Sequence, residues 1–236
     1  MLSNVWLALA ITFFLALIWL RANDYAAHRG WVGNQLSRKI IHAGTGPIFV
    51  VCWLLFPAVP SARYLAALVP FLFSVQFFLI GMGVIKDEAS VQAMSRTGNP
   101  RDILRGPLYY GIIFTLLTII FWLDSPIGIV ALMVLSGGDG FADIIGRRWG
   151  RRKIPFNPDK SWAGSAGMFL GGWLFSVVVI WIFILAGVFS GPNLGYLSAI
   201  TMICLATTVV EALPLRDLEN ITITLTAVIL GMLLFT

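Results

Sequence analysis

The chain has 236 residues, of which 58% are hydrophobic and 11% charged, with a formal net charge of +5. That balance excludes a soluble globular domain and identifies a polytopic membrane protein, because each crossing of the hydrocarbon core needs about 20 apolar residues. No connection interleaves basic and aromatic residues over a surface large enough for nucleic acid, so that partner is excluded too.

Taken in chain order, eight apolar segments are long enough to be read as spans: 4–20, 41–57, 64–85, 107–123, 126–146, 165–189, 194–213 and 221–235. The expected fold is all-α, a transmembrane bundle of about eight helices forming one integral-membrane domain over residues 1–236. The first segment carries no basic residue before it and no small-residue cleavage pattern after it, so a retained anchor is expected rather than a removable signal peptide. Of the 16 Lys and Arg residues, 15 fall in the connections 21–40, 86–106, 147–164 and 214–220, and only Arg63 falls in the others. The positive-inside rule then places both termini on the non-cytoplasmic side of a plasma or thylakoid-type membrane. Basic loops of this kind also attract anionic membrane lipids and nucleotides. Cys52 and Cys204 lie within apolar segments without a metal-binding spacing, and are read as buried free thiols.

Polar residues gather at the expected cytoplasmic ends of these spans. Arg38, Lys39 and His42 enter the second, and Asp139 and Asp143 leave the fifth. Lys160 and Ser161 precede the sixth, Glu211 leaves the seventh, and Glu219 with Asn220 opens the eighth. Ionisable groups are costly in a bilayer and mark function or pairing. Asp139 and Asp143 are four residues apart, so a continuous helix presents them on one face, where they suit Mg2+; the alternative is pairing with Arg147, Arg148 or Arg151. Gly137, Gly138 and Gly140 permit close approach of a ligand or of another helix. The cations from Arg147 to Lys153 suit phosphate oxygens and equally serve topology.

Lys160 and Ser161 stand where the free N–H groups of a helix start favour an anion, although no GxxxxGK[ST] loop is present. His42, beside Arg38 and Lys39, is read as structural or as a phosphate-binding or proton-transferring group, whereas His28 is read as a solvated loop residue. Glu211 is a further metal candidate or an acid paired with Arg216; Glu219 is a metal candidate, and Asn220 a helix cap. In the 86–106 loop, Arg96, Arg101 and Arg105 with Asp102 form a candidate phosphate clamp or lid before Gly106 and Pro107. Tyr109 and Tyr110 read as interface-belt residues.

The stretch DGFADIIGRRWGRRKIPFNPDKSWAGSAG, beginning at Asp139, resembles the central motif of the superfamily of CTP-using polyprenol kinases and phosphatidate cytidylyltransferases. Within it the chain is most similar to the phytol kinase subgroup. Arg38-Lys39-Ile40-Ile41-His42 matches its RKxxH entry motif, and an Arg-rich loop leads to GPLYY at Gly106 to Tyr110. Glu211 followed by Glu219-Asn220 matches its late acidic elements, with Glu219 in place of an Asp. Asn99 also stands where an Asp is expected. The resemblance covers 38–236. The cytidylyltransferases carry Glu where this chain has Ala163, and a late Gly-rich Asp-Arg element that it lacks, so kinase chemistry is preferred.

The resemblance implies transfer of the terminal phosphate of CTP, or another nucleoside triphosphate, to a prenyl alcohol such as phytol. Mg2+ would be the cofactor, held by Asp139 and Asp143, with Glu211 and Glu219 as further candidates. Arg38, Lys39, Arg101, Arg105, Arg147, Arg148, Lys153, Lys160 and Ser161 would meet the nucleotide phosphates. Asp139, Asp143, Glu211 and His42 are the catalytic candidates, with Asp143 or Glu211 accepting the alcohol proton. The rival readings are a CDP-lipid-forming cytidylyltransferase and a lipid transporter. Against the transporter, the polar residues gather on one side and no internal repeat is visible.

Overall fold

The computed structural model describes residues 1–95, 97–191, 194–215 and 218–235, together with the backbone but not the side chains of His28 and Asn34. Arg96 and Arg216 therefore lie outside the described residues. Among the described residues the chain is mainly helical, with one two-stranded sheet, as its composition predicts. Among the described residues, six helices are long and apolar enough to cross a membrane. They correspond to six of the eight expected segments. The other two are also helices: one is a 16-residue apolar helix, and the other begins with polar residues and contains Pro47.

The chain groups into two compact units, the first being Met1–Ile41 with Leu55–Ile120. In it, α1 (Val5–His28) starts at Asn4, whose side chain accepts hydrogen bonds from the backbone N–H groups of Trp6 and Leu7. The helix runs on through His28, which sequence reasoning places in a loop. The first unit also holds the start of α2 (Asn34–Val51), then α3 (Ala62–Gly81), α4 (Glu88–Met94) and α5 (Gly106–Ile120). Ile41, Ile80, Ala93, Met94 and Ile103 form a buried apolar cluster. Arg101 lies in a 3-10 turn, Pro100–Leu104, and Arg105 follows that turn directly.

The second unit comprises His42–Leu54 and Phe121–Thr236. Its centre is a helix in three parts: α6 (Pro126–Met133), a π-helical turn (Val134–Gly138) and α7 (Asp139–Trp149). Ile129 through Leu135 are at most 1% exposed, as expected of a helix that is apolar all round and must therefore be enclosed by others. The enclosing helices are α8 (Trp162–Leu185), α9 (Leu194–Ala212) and α10 (Glu219–Leu234), together with the end of α2.

Between α7 and α8 the chain forms a small antiparallel hairpin, β1 (Lys153–Ile154) and β2 (Asn157–Ser161), in a stretch that the sequence presents as a loop. Ile154 is buried and anchors it. Gly150 ends α7 where a side chain would collide with Ser161, whose Cβ lies 2.9 Å from the position a Cβ would occupy. Glycine is thus what lets the hairpin fold back against α7.

Candidate functional site

The site grows out of the π turn. A π turn carries one extra residue per turn and displaces the side chains that follow it, which is why such turns recur at functional sites. Here it is followed at once by Asp139, the first residue of α7. The turn is closely surrounded: a Cβ on Gly138 would lie 2.8 Å from the Met168 sulfur, and one on Gly140 would lie 2.7 Å from the Ala43 Cβ. These glycines therefore serve the approach of α8 and α2, the second of the two uses open to them in the sequence.

That approach brings His42 of α2 onto Asp139. His42 Nε2 lies 3.1 Å from Asp139 Oδ2 and also 3.1 Å from the Leu135 carbonyl oxygen. Asp139 is 7% exposed, so its carboxylate is buried beside a donor that restrains it. Asp143 follows one turn later on α7, as the four-residue spacing predicts. It pairs with Arg147 at 2.7 Å, whereas Asp139 has His42 as a partner.

A second group of charges is assembled from three separate elements. Lys160, on β2, directs its ammonium group to Glu211 in the last turn of α9 and to Glu219 at the start of α10, at 3.0 Å in the latter pair. Glu211 is buried at 4% exposure. Burial by itself works against the Lys160 charge, but the two carboxylates outweigh it and hold its pKa above the ordinary lysine range. Both groups lie in the second unit, Asp139 at the start of α7 and Lys160 on the hairpin that follows it.

The remaining candidates fall in both units. Ser161 is the cap of α8, its hydroxyl accepting from the Gly164 N–H at 3.1 Å. Arg147 and Arg148 occupy the exposed last turn of α7, with Arg148 over the Trp149 ring, and Lys153 is exposed on β1. Arg38 and Lys39 are half-buried residues of α2 in the first unit, where Arg101 and Arg105 are exposed. Asn220 lies inside α10, whose cap position is Leu218, so the capping role expected of Asn220 is corrected. Its backbone carbonyl accepts from the Thr224 hydroxyl at 2.6 Å.

Nothing in the sequence marks Asn157. It is buried in β2 and donates through Nδ2 to the Ala212 carbonyl oxygen at 3.0 Å, joining the hairpin to the end of α9. An asparagine within a charged, proline-containing stretch reads as turn chemistry, and its long-range partner has no local signature.

Mg2+ prefers oxygen ligands, retains waters, and is commonly held by one or two carboxylates together with substrate phosphates. Asp139 and Asp143 are two carboxylates one turn apart on α7, each with a partner of its own, His42 and Arg147. No group of three His, Cys, Asp or Glu residues able to hold a metal occurs among the described residues. An ion at these two carboxylates would need further oxygen ligands from outside this set. Glu211 and Glu219 have Lys160 as their cation.

The fold and site together define an integral-membrane α-helical protein with a charge-dense centre enclosed by its own helices. A protein from Triticum aestivum named "Probable phytol kinase, chloroplastic" is 44% identical over 218 residues, 92% of this chain and 73% of that protein. One of the same name from Zea mays is 42% identical over 226 residues, 92% of this chain and 72% of the maize protein. A farnesol kinase of Arabidopsis thaliana, also chloroplastic, is 41% identical over 209 residues, 88% and 68% of the two chains. The chain belongs to the phytol kinase family. No family model matches it, and no solved structure does.

Proposed function

We propose that this protein transfers the terminal phosphate of CTP, or of another nucleoside triphosphate, to the hydroxyl of a prenyl alcohol such as phytol or farnesol. The observation that carries the reading is the presence of two held charged groups in one compact unit. Buried Asp139 is restrained by His42, and Lys160 is held by Glu211 and Glu219. Phosphoryl transfer asks a protein mainly for alignment and for neutralisation of charge on the moving phosphoryl group. The names of the relatives support the class of alcohol, and the resemblance of the motifs to CTP-using enzymes supports the donor.

A divalent cation such as Mg2+ would supply positive charge to offset that of the phosphates. Asp139 and Asp143 would hold it. His42, donating to Asp139, keeps that carboxylate in place. Lys160 presents an ammonium group to the phosphates from a hairpin braced against α7 and α9, and Arg147 and Arg148 add positive charge at the exposed end of α7. The prenyl alcohol would enter from the lipid with its hydroxyl at the cytoplasmic interface and its tail among apolar helices. A carboxylate, Asp143 or Glu211, would accept the alcohol proton as the new O–P bond forms and the nucleoside diphosphate leaves. A chloroplast or thylakoid-type membrane, or a bacterial plasma membrane, suits this assignment; the relatives named chloroplastic favour the first.

The test uses purified protein in vesicles containing phytol or farnesol, with CTP, UTP and ATP each labelled in the terminal phosphate. Label in the lipid, strongest with CTP, supports the proposal. Label that stays in the aqueous phase with every donor rejects it.

A further inference from the structure

We infer that Asn157 is a positioning residue for phosphate transfer, fastening the β-hairpin to the end of α9 and so setting where the Lys160 ammonium group stands. The inference rests on the reading that Lys160 meets the nucleotide phosphates.

Asn157 is 6% exposed, while Lys153, Phe156, Pro158 and Asp159 around it in the hairpin are exposed. A buried amide is costly unless its donor and acceptor are both used. Here both are. Nδ2 donates to the Ala212 carbonyl at 3.0 Å, and Oδ1 accepts from the Asp159 N–H at 3.3 Å. The chemistry of the partners fixes the orientation of the amide, because a carbonyl can only accept and an N–H can only donate.

The partner on α9 has a specific place. Ala212 is the last residue of the helix, where carbonyl groups have no partner within the helix itself. It is also the neighbour of Glu211, and Asn157 lies three residues before Lys160 on the same strand. One side chain therefore ties together the two backbones that carry the Lys160–Glu211 ion pair. Ion pairs between long side chains tolerate sliding of their backbones. A hydrogen bond from a short, buried side chain to a main-chain oxygen does not, so the register between the hairpin and α9 falls to Asn157. The apolar anchor Ile154, opposite Asn157 in the hairpin, adds grip but no direction.

Asn157→Ala removes the tie, and Asn157→Asp sets a carboxylate against the Ala212 oxygen. The experiment compares wild type, both Asn157 variants, Lys160→Ala and the Asn157→Ala/Lys160→Ala double variant in vesicles. It measures the KM for the most readily used nucleoside triphosphate, the KM for phytol, and Tm. KM does not depend on how much of the enzyme is folded, which separates positioning from simple loss of protein.

The expected result is a rise of about fivefold or more in nucleotide KM for Asn157→Ala, greater for Asn157→Asp, with phytol KM changed by less than about twofold. In the Lys160→Ala background, Asn157→Ala should add nothing to nucleotide KM, since the residue it positions is gone. If Lys160→Ala weakens nucleotide use while Asn157→Ala leaves it unchanged, raises both KM values together, or adds its full effect to Lys160→Ala, the positioning role is overturned. If Lys160→Ala leaves nucleotide KM unchanged, the reading of Lys160 itself fails, and the inference with it.

Discussion

His42 Nε2 stands 3.1 Å from Asp139 Oδ2 and equally close to the Leu135 carbonyl oxygen. Both partners are acceptors, so Nε2 carries the hydrogen and the imidazole restrains the carboxylate. The contact joins α2 to the central helix where that helix leaves its π turn. Whatever fixes Asp139 in place also fixes the geometry of the proposed metal and phosphate site.

Asp139→Asn keeps the shape of the side chain and an oxygen able to accept from His42, and removes the charge. Turnover at saturating substrates should fall about a hundredfold or more, while Tm stays close to wild type. A folded variant with full activity would take Asp139 out of the mechanism.

Removing Lys160 leaves Glu211 and Glu219 without their shared cation. Lys160→Met should destabilise the protein by on the order of 3 kcal/mol, the usual result of stranding one side of a buried pair. Adding Glu211→Gln should recover a large part of that loss. Reversible unfolding in mild detergent reads both, and a second substitution that only deepens the loss would contradict the pairing.

The same pair fixes a pH response. A lysine whose pKa is raised on folding contributes its full stability below the unfolded value of about 10.4, and loses it only as pH climbs through the higher folded value. The Tm difference between wild type and Lys160→Met should therefore hold constant between about pH 7 and 9. Closure of the gap within that window would show that Lys160 loses its charge far earlier than its two carboxylate partners allow.

Gly140→Ala places a methyl group 2.7 Å from the Ala43 Cβ, closer than side chains tolerate. Moving α2 to accommodate it draws His42 from Asp139, so the expected outcome is a loss of about 1–3 kcal/mol of stability together with lower turnover. Unchanged stability and turnover would mean that the helices separate freely there.

Asp87 offers a contrast in the first unit. It caps α4, its carboxylate accepting from the Ser90 N–H at 3.0 Å and the Ser90 hydroxyl at 2.7 Å. Partial burial works against its charge, but these hydrogen bonds prevail and hold its pKa below the ordinary aspartate value. Its contribution is then present above about pH 3.9 and fades as pH falls through the lower folded value. Asp87→Ala should cost about 1 kcal/mol near neutral pH without altering either KM.

Much of this architecture is written locally. Long apolar runs announce the helices, and the spacing of Asp139 and Asp143 gives their shared face on α7. Ser161 stands directly before α8 because the apolar run follows it, and it does cap that helix, while Lys160 lies on the strand that leads in. Other features depend on residues distant in sequence. Nothing near Lys160 shows that its partners are Glu211 and Glu219, and nothing near Asn157 points to Ala212. The π turn escapes notice because Val134–Gly138 continues an apolar, glycine-containing run, and the extra residue is exposed only by the helices that close around it. The hairpin is hidden for a related reason: two short strands between charged residues read as a loop until Ile154 is seen to be buried.

Terminal phosphate transfer to a prenyl alcohol is read most plainly from its products. Purified protein is given Mg2+ and CTP with phytol in one reaction and with phosphatidate in another, and lipid and nucleotide products are identified by mass spectrometry. Phytyl phosphate with CDP is expected in the first reaction and no product in the second. A CDP-lipid with pyrophosphate would contradict it and assign cytidylyl transfer instead.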